Sequence, residues 1–163
     1  MQYYTSDNDK DLNLGEYPPL AFYFKVVFSG FDEDSDASFQ DVSGISREME
    51  TEDVAEGGEN GFVHRLPKSM KYQKLVLKRG IATRKSELVV WCRSVLEGGL
   101  NQPIKTMMVL VFLMNAEGLP IRAWQFDNAY PVKWEVEGFN STKNDVSIET
   151  IELSYNGFSR VET

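Results

Sequence analysis

KRGIATRKSELVVWCRSVLEGG, residues 78–99, holds the one segment of this chain whose apolar residues recur at helical spacing. Leu88, Trp91, Cys92, Val95 and Leu96 fall at i, i+3, i+4, i+7 and i+8, a single stripe on a helix of about Thr83 to Glu97. Val90 falls on the opposite, mostly polar face with Glu87, Ser94 and Glu97. Thr83 or Ser86 is placed to cap the start, Glu87 suits the positive end of the helix dipole, and Gly98-Gly99 supplies a left-handed stop. A lone helix among strands has no other helix on which to bury its stripe, so it must pack on a sheet. The five stripe residues are therefore the expected contact between helix and sheet.

Outward from the helix, the pattern is that of strands. Leu20, Phe22, Phe24, Val26 and Phe28 alternate, giving one apolar face. Phe39 to Met49 reads as a strand interrupted at Ser43-Gly44, and Lys71 to Lys78 as a lysine-rich strand at a sheet edge. Between them, Thr51 to Gly61 reads as a long acidic, glycine-containing loop. Pro103 to Met114 is apolar on both faces, which predicts a central strand covered on both sides. Asn115 to Gly118 is a hairpin turn leading into Ile121 to Asp127. A further strand carries Val132, Trp134 and Val136, with a bulge or corner at Pro131. The last strand runs from about Val146 to Tyr155. Its apolar phase slips between Ile148 and Ile151, which predicts another bulge.

These readings predict a mainly β fold, a barrel or sandwich of seven or eight strands, with one flanking α-helix. Residues 1–17 are polar and acidic and read as a flexible arm, and residues 18–163 as a single domain. No apolar run approaches the about 18 residues needed to cross a bilayer, so the subunit itself is not expected to insert in a membrane. The N-terminal stretch does not have the pattern of a secretory signal. The single cysteine, Cys92, lies on the helix stripe and cannot form an intramolecular disulfide, which fits a reducing compartment.

Charge is divided unevenly. The formal net charge is -8, but residues 1–60 carry 15 acidic and 3 basic groups, whereas residues 61–163 carry 10 acidic and 14 basic. Glu48, Glu50, Glu52, Asp53, Glu56 and Glu59 crowd one segment. Arg65, Lys68, Lys71, Lys74, Lys78, Arg79, Arg84 and Lys85 follow, with no acid between Gly61 and Ser86. Two such runs are either two solvated faces or a pair of complementary surfaces, as head-to-tail stacking of identical subunits requires.

Residues capable of chemistry are few. The one histidine, His64, has no evident partner to orient it, and with one cysteine there is no zinc set. The acidic cluster lacks calcium-loop spacing, and Gly57-Gly58 and Gly98-Gly99 do not form a phosphate-binding loop. The acidic balance opposes nucleic-acid binding, and Tyr72 is the only aromatic among the basic residues from Arg65 to Lys85. Neither a catalytic set nor a cofactor is expected.

The order of segments carries a resemblance. FYFKVVF (Phe22 to Phe28), FQDVSGI (Phe39 to Ile45), LVLKRGI (Leu75 to Ile81) leading to ELVVW (Glu87 to Trp91), WQFDNAYPVKW (Trp124 to Trp134), GFN (Gly138 to Asn140) and NDVSIETIELSY (Asn144 to Tyr155) are together similar to the tail tube proteins of contractile-tailed phages and phage-like contractile injection systems. The likeness covers roughly residues 18 to 160. The acidic arm and the FDEDSDAS loop (Phe31 to Ser38) depart from it. It implies a barrel with a flanking helix, assembled as hexameric rings that stack into the hollow inner tube of a contractile tail. The implied partners are further copies of the chain, a surrounding sheath, baseplate and terminator proteins, and a cargo of DNA or effector protein in the lumen. Assembly would take place in the bacterial cytoplasm, and the product would be a phage tail or injection particle. Under this reading, inter-ring contact falls to Glu48, Glu50, Glu52, Asp53, Glu56, Glu59, Arg65, Lys68, Lys71, Lys78, Arg79, Arg84 and Lys85. The alternatives are a tube initiator at the baseplate and, in a different class, a monomeric small-molecule-binding β-barrel.

Overall fold

A computed structural model describes residues 22–32, 38–55, 57–58, 63–81, 86–138 and 147–162. The chain order is β1 (Tyr23–Phe28), β2 (Ser38–Phe39), β3 (Asp41–Ser43), β4 (Arg47–Ala55), β5 (Val63–Tyr72), β6 (Leu75–Gly80), α1 (Glu87–Glu97), a 3-10 turn (Gly99–Asn101), β7 (Met107–Met114), β8 (Pro120–Val136), β9 (Ile148–Ser154) and β10 (Gly157–Val161). The expected arm of residues 1–17, Leu20 and Thr83 lie outside the described residues.

Eight strands form one curved antiparallel sheet in the order β2-β1-β7-β8-β9-β6-β3, with β10 also paired to β8. Its two outermost strands, β2 and β3, are successive in the chain and joined through Gln40, whose N–H donates to Lys78 O at 2.9 Å. The sheet therefore curls until one short segment touches β1 on one side and β6 on the other. The mainly β architecture with a single α-helix is the expected one. The strand number is larger, because β4 and β5 form a separate two-stranded sheet and β10 adds a strand after Tyr155.

β8 replaces the two strands expected around Pro131. It is continuous for 17 residues, pairing with β7 and β10 through its first part and with β9 through its second. β9 and β10 follow one another along the same edge. At the junction between them, Asn128 of β8 takes φ 52 and Asn156 N–H donates to Asp127 O at 3.0 Å. The bulge expected at Pro131 is present as a register shift between Pro131 and Lys133.

Inside the curl, Val26, Phe28, Val109, Val111, Phe126, Leu75, Leu77, Ile151 and Leu153 form the core with Leu88, Trp91 and Cys92 of α1. Ser86 proves to be the cap: its Oγ accepts from Val89 N–H at 3.2 Å. The helix ends at Gly98, and Gly99 takes the left-handed conformation, φ +60. Trp91 packs its ring edge-on to Phe28 and Phe31, and its Nε1 donates to Lys105 O at 3.0 Å. Val95 is half-buried against the core, and Val90 is exposed as expected. Leu96 is not part of the contact, at 40% exposure. It lies roughly 80° around the helix from Leu88, at the margin of the stripe in the last turn.

Two strand readings need correction. β7 is central but not covered on both sides. Met107, Val109 and Val111 point inward, whereas Met108 is exposed and Leu110 and Phe112 are half-buried over a shallow hollow with Lys25 and Val27. β9 has no phase slip. Its inward positions are Glu149, Ile151 and Leu153, so a carboxylate occupies the place where an apolar residue was sought.

That carboxylate is paired. Glu149 is 2% exposed, and its Oε2 accepts from Nε of Arg79, 5% exposed, at 2.8 Å. Its Oε1 accepts from Trp134 Nε1 at 2.7 Å. Arg79 also donates to Ser86 Oγ at 2.9 Å and lies over the Phe39 ring. One buried ion pair thus ties β6, β9, β8, β2 and the start of α1 together.

Candidate functional site

The β4–β5 hairpin stands apart from this body. The chain enters it through Gly44, at φ +86, where an added Cβ would lie 1.9 Å from Lys74 O, so only glycine fits. Almost every residue of both strands is exposed, and among the described residues no other strand or helix packs along it. The segment from Thr51, read from sequence as loop, is strand as far as Ala55, and the strand read as Lys71 to Lys78 is divided at Gln73 and Lys74 into β5 and β6.

Register fixes what each face carries. Arg47 opposes Tyr72, Met49 opposes Met70 and, past a bulge, Thr51 opposes Pro67, Asp53 opposes Arg65 and Ala55 opposes Val63. Cross-strand partners share a face, so this side groups Met49, Met70, Pro67, Ala55 and Val63 around Thr51 and one ion pair, Arg65 Nε to Asp53 Oδ1 at 3.3 Å, with Arg47 at the root. The other face carries Glu48, Glu50, Glu52 and Lys71, then Val54, Leu66 and His64. Glu50 is held by Lys71 and by Ser69 Oγ, which donates at 2.8 Å. These partners lower the Glu50 carboxyl below its usual range, the Lys71 bond most, and Glu50 in turn raises the Lys71 ammonium.

Two of the acidic residues of the segment, Glu50 and Asp53, are thus bonded to basic residues of the next one, inside a single hairpin. Glu48, Glu52 and Lys68 are exposed on it. Lys78 lies on β6, 3.7 Å from Asp41. Arg79 does not belong to an exposed basic surface, being the buried partner of Glu149. Glu56, Glu59, Arg84 and Lys85 lie outside the described residues. What the sequence reading missed is the apolar content of the hairpin: Met49, Val54, Val63, Leu66 and Met70 are all large and exposed, Val63 at 60%. Among the described residues, no group of three or more His, Cys, Asp or Glu could hold a metal ion, and no helix is long and apolar enough to cross a membrane. Large apolar residues grouped on an exposed strand pair are characteristic of protein–protein contact surfaces.

Residues 20–159 match the family described as T4-like virus tail tube protein gp19. The chain belongs to that tail tube family. The ordered resemblance from FYFKVVF to NDVSIETIELSY is borne out, and so is the structural role that follows from it. No curated protein matches the sequence. Among solved structures, this tail tube protein is similar to a chain in the six-fold symmetrised cryo-EM structure of the anti-feeding prophage baseplate, with TM-score 0.73 and 29% identity over 90% of this chain and 97% of that one. It shares its fold with a chain of the sheath–tube complex of an extracellular contractile injection system, PVC, in the extended state (TM-score 0.72, 24% identity, 91% and 95% covered). It also shares its fold with Hcp1 from Salmonella typhimurium (TM-score 0.51, 17% identity, 86% of each chain).

Proposed function

We propose that this tail tube protein forms hexameric rings that stack into the inner tube of a contractile tail or injection particle, and that the β4–β5 hairpin makes the contact between rings. The observation that carries the reading is the hairpin itself, two long strands with exposed Met49, Val63, Leu66 and Met70 and, among the described residues, no other strand or helix packed along them past the first rung. Heterologous stacking needs one surface that projects and another that receives it. Glu48, Glu52 and Lys68 supply charges that steer register, while the Glu50–Lys71 and Asp53–Arg65 pairs hold the hairpin in shape.

Relatives drawn from a baseplate and a sheath–tube complex support sheath and baseplate proteins as partners, and one from a sheath/tube terminator supports a terminator; cargo in the lumen and assembly in the bacterial cytoplasm before the finished particle complete the proposed role. The role is structural and not enzymatic. A tube initiator next to the baseplate is the second reading, favoured by the 29% identical relative in a baseplate structure.

The test is Met49→Asp combined with Leu66→Asp, both exposed on the subunit. Light scattering and negative-stain imaging should show folded protein and rings but no tubes. Tubes of normal length would overturn the hairpin reading, and a monomeric parent protein would favour the small-molecule-binding barrel.

A further inference from the structure

The root of the hairpin is built differently from its shaft. At the first rung, Arg47 faces Tyr72. The Arg47 guanidinium donates through Nη2 to Phe158 O on β10. It also lies 4.9 Å from the centre of the Phe158 ring and 5.8 Å from that of Tyr72. Tyr72 meets Phe158 edge-on at 6.0 Å and Tyr155 at 5.8 Å, and Phe126 stacks on Phe158 at 5.4 Å. Tyr155 OH reaches Gly44 O at 3.5 Å, in the short segment that leads from β3 into the hairpin. Beyond this rung no other strand or helix among the described residues packs along the shaft.

We infer that Arg47 is a positioning residue for tube assembly: by clamping the hairpin root to the Phe158–Tyr155 cluster, it sets the angle at which the hairpin meets the next ring. The inference rests on the reading of the hairpin as the inter-ring contact. The geometry makes the angle matter. Eight residue steps separate Arg47 from Ala55, about 26 Å at strand rise, so a swing of about 10° at the root moves the tip by about 4–5 Å, roughly the spacing between neighbouring strands. A displacement of that size takes the exposed Val54 and Val63 out of register with any complementary surface. Arg47 is suited to the clamp because a planar guanidinium can stack on two rings while one N–H reaches a carbonyl. A lysine ammonium is a point charge on a flexible stem and cannot do both. The residue is exposed in the subunit, so the interaction contributes more to orientation than to stability.

The experiment compares Arg47→Ala and Arg47→Lys with the parent protein by three measurements. Melting temperature and ring formation should be unchanged in both. Tube yield should fall about tenfold in both, since a hairpin that is no longer held must be ordered at each new contact. Spin labels at Val54→Cys and Glu117→Cys, with buried Cys92 left unlabelled, should give a distance distribution clearly broader in the Arg47 variants. Normal tubes from Arg47→Ala, full rescue by Arg47→Lys, or an unchanged distance distribution would overturn the inference. If Met49→Asp with Leu66→Asp abolishes tubes while Arg47→Ala does not, the clamp fails and the hairpin contact stands. If both variants form tubes, the hairpin contact itself fails.

Discussion

Removing the Glu149 side chain is the most informative perturbation of the fold. Glu149→Ala takes the carboxylate that accepts from Arg79 Nε at 2.8 Å and from Trp134 Nε1 at 2.7 Å. Because both members of the pair are almost wholly shielded, the Arg79 charge loses this carboxylate in a low-dielectric setting. Breaking a buried pair from one side, its bonded neighbours included, costs about 3–5 kcal/mol, so about 4 kcal/mol is expected. In a chain of this size each kcal/mol is worth about 2–4 °C, giving a fall in melting temperature of about 8–16 °C. The measurement is urea unfolding of unassembled subunit at fixed concentration, followed by tryptophan fluorescence. A double variant, Arg79→Met with Glu149→Leu, removes both charges and should recover to within about 2 kcal/mol of the parent, since a buried pair is no more stabilising than packed apolar residues. The two positions should therefore show strong coupling in a double-mutant cycle. A loss below about 1 kcal/mol for Glu149→Ala, or a double variant as unstable as the sum of the two single ones, would refute the reasoning.

Gly44→Ala should be poorly tolerated, because an alanine at φ +86 carries about 1–2 kcal/mol of backbone strain before its Cβ meets Lys74 O. A soluble variant with the parent melting temperature would contradict that geometry. The hairpin should also respond to pH within a definite window. The Glu50 carboxyl is lowered by Lys71, so its contribution is present above the ordinary carboxylate value of about 4.3 and is lost as pH falls through the lower, folded value. Lys71 is raised by Glu50, so its contribution is present below its ordinary value of about 10.4 and lost as pH rises through the higher, folded one. Amide exchange of the β4 and β5 rungs near Glu50 should therefore be slowest relative to the unpaired chain between those limits. Exchange that accelerates in mid-range would show that the pair does not hold the strands.

The body of the fold was legible because each of its elements has one face in a core. The helix stripe, the Ser86 cap, the Gly99 stop, the Asn115–Gly118 turn and the Pro131 bulge all follow from such patterning and turn chemistry. The hairpin was illegible for the converse reason. With both faces exposed, β4 has no apolar alternation, and its acids and their cross-strand bases read as two separate charge runs. β9 misled because Glu149 fills an inward position, which period-two reading counts as polar and therefore outward. β10 was missed because Ser159 and Arg160 leave Phe158 and Val161 without a readable pattern. Leu96 was assigned to the contact from spacing alone, which does not reveal where a curved sheet falls away from a straight helix.

The long strand β8 has a mechanical consequence. Its hydrogen-bonded partners change along its length, β7 and β10 giving way to β9, yet its backbone is unbroken from Pro120 to Val136. The two regions of the curved sheet therefore cannot be drawn apart like opening a zip, one rung after another. A pull along β8 loads many rungs in parallel and in shear, so they must give way together. In a tube wall this strand is a tie-rod, sharing any load along its own length between both parts of the subunit's sheet.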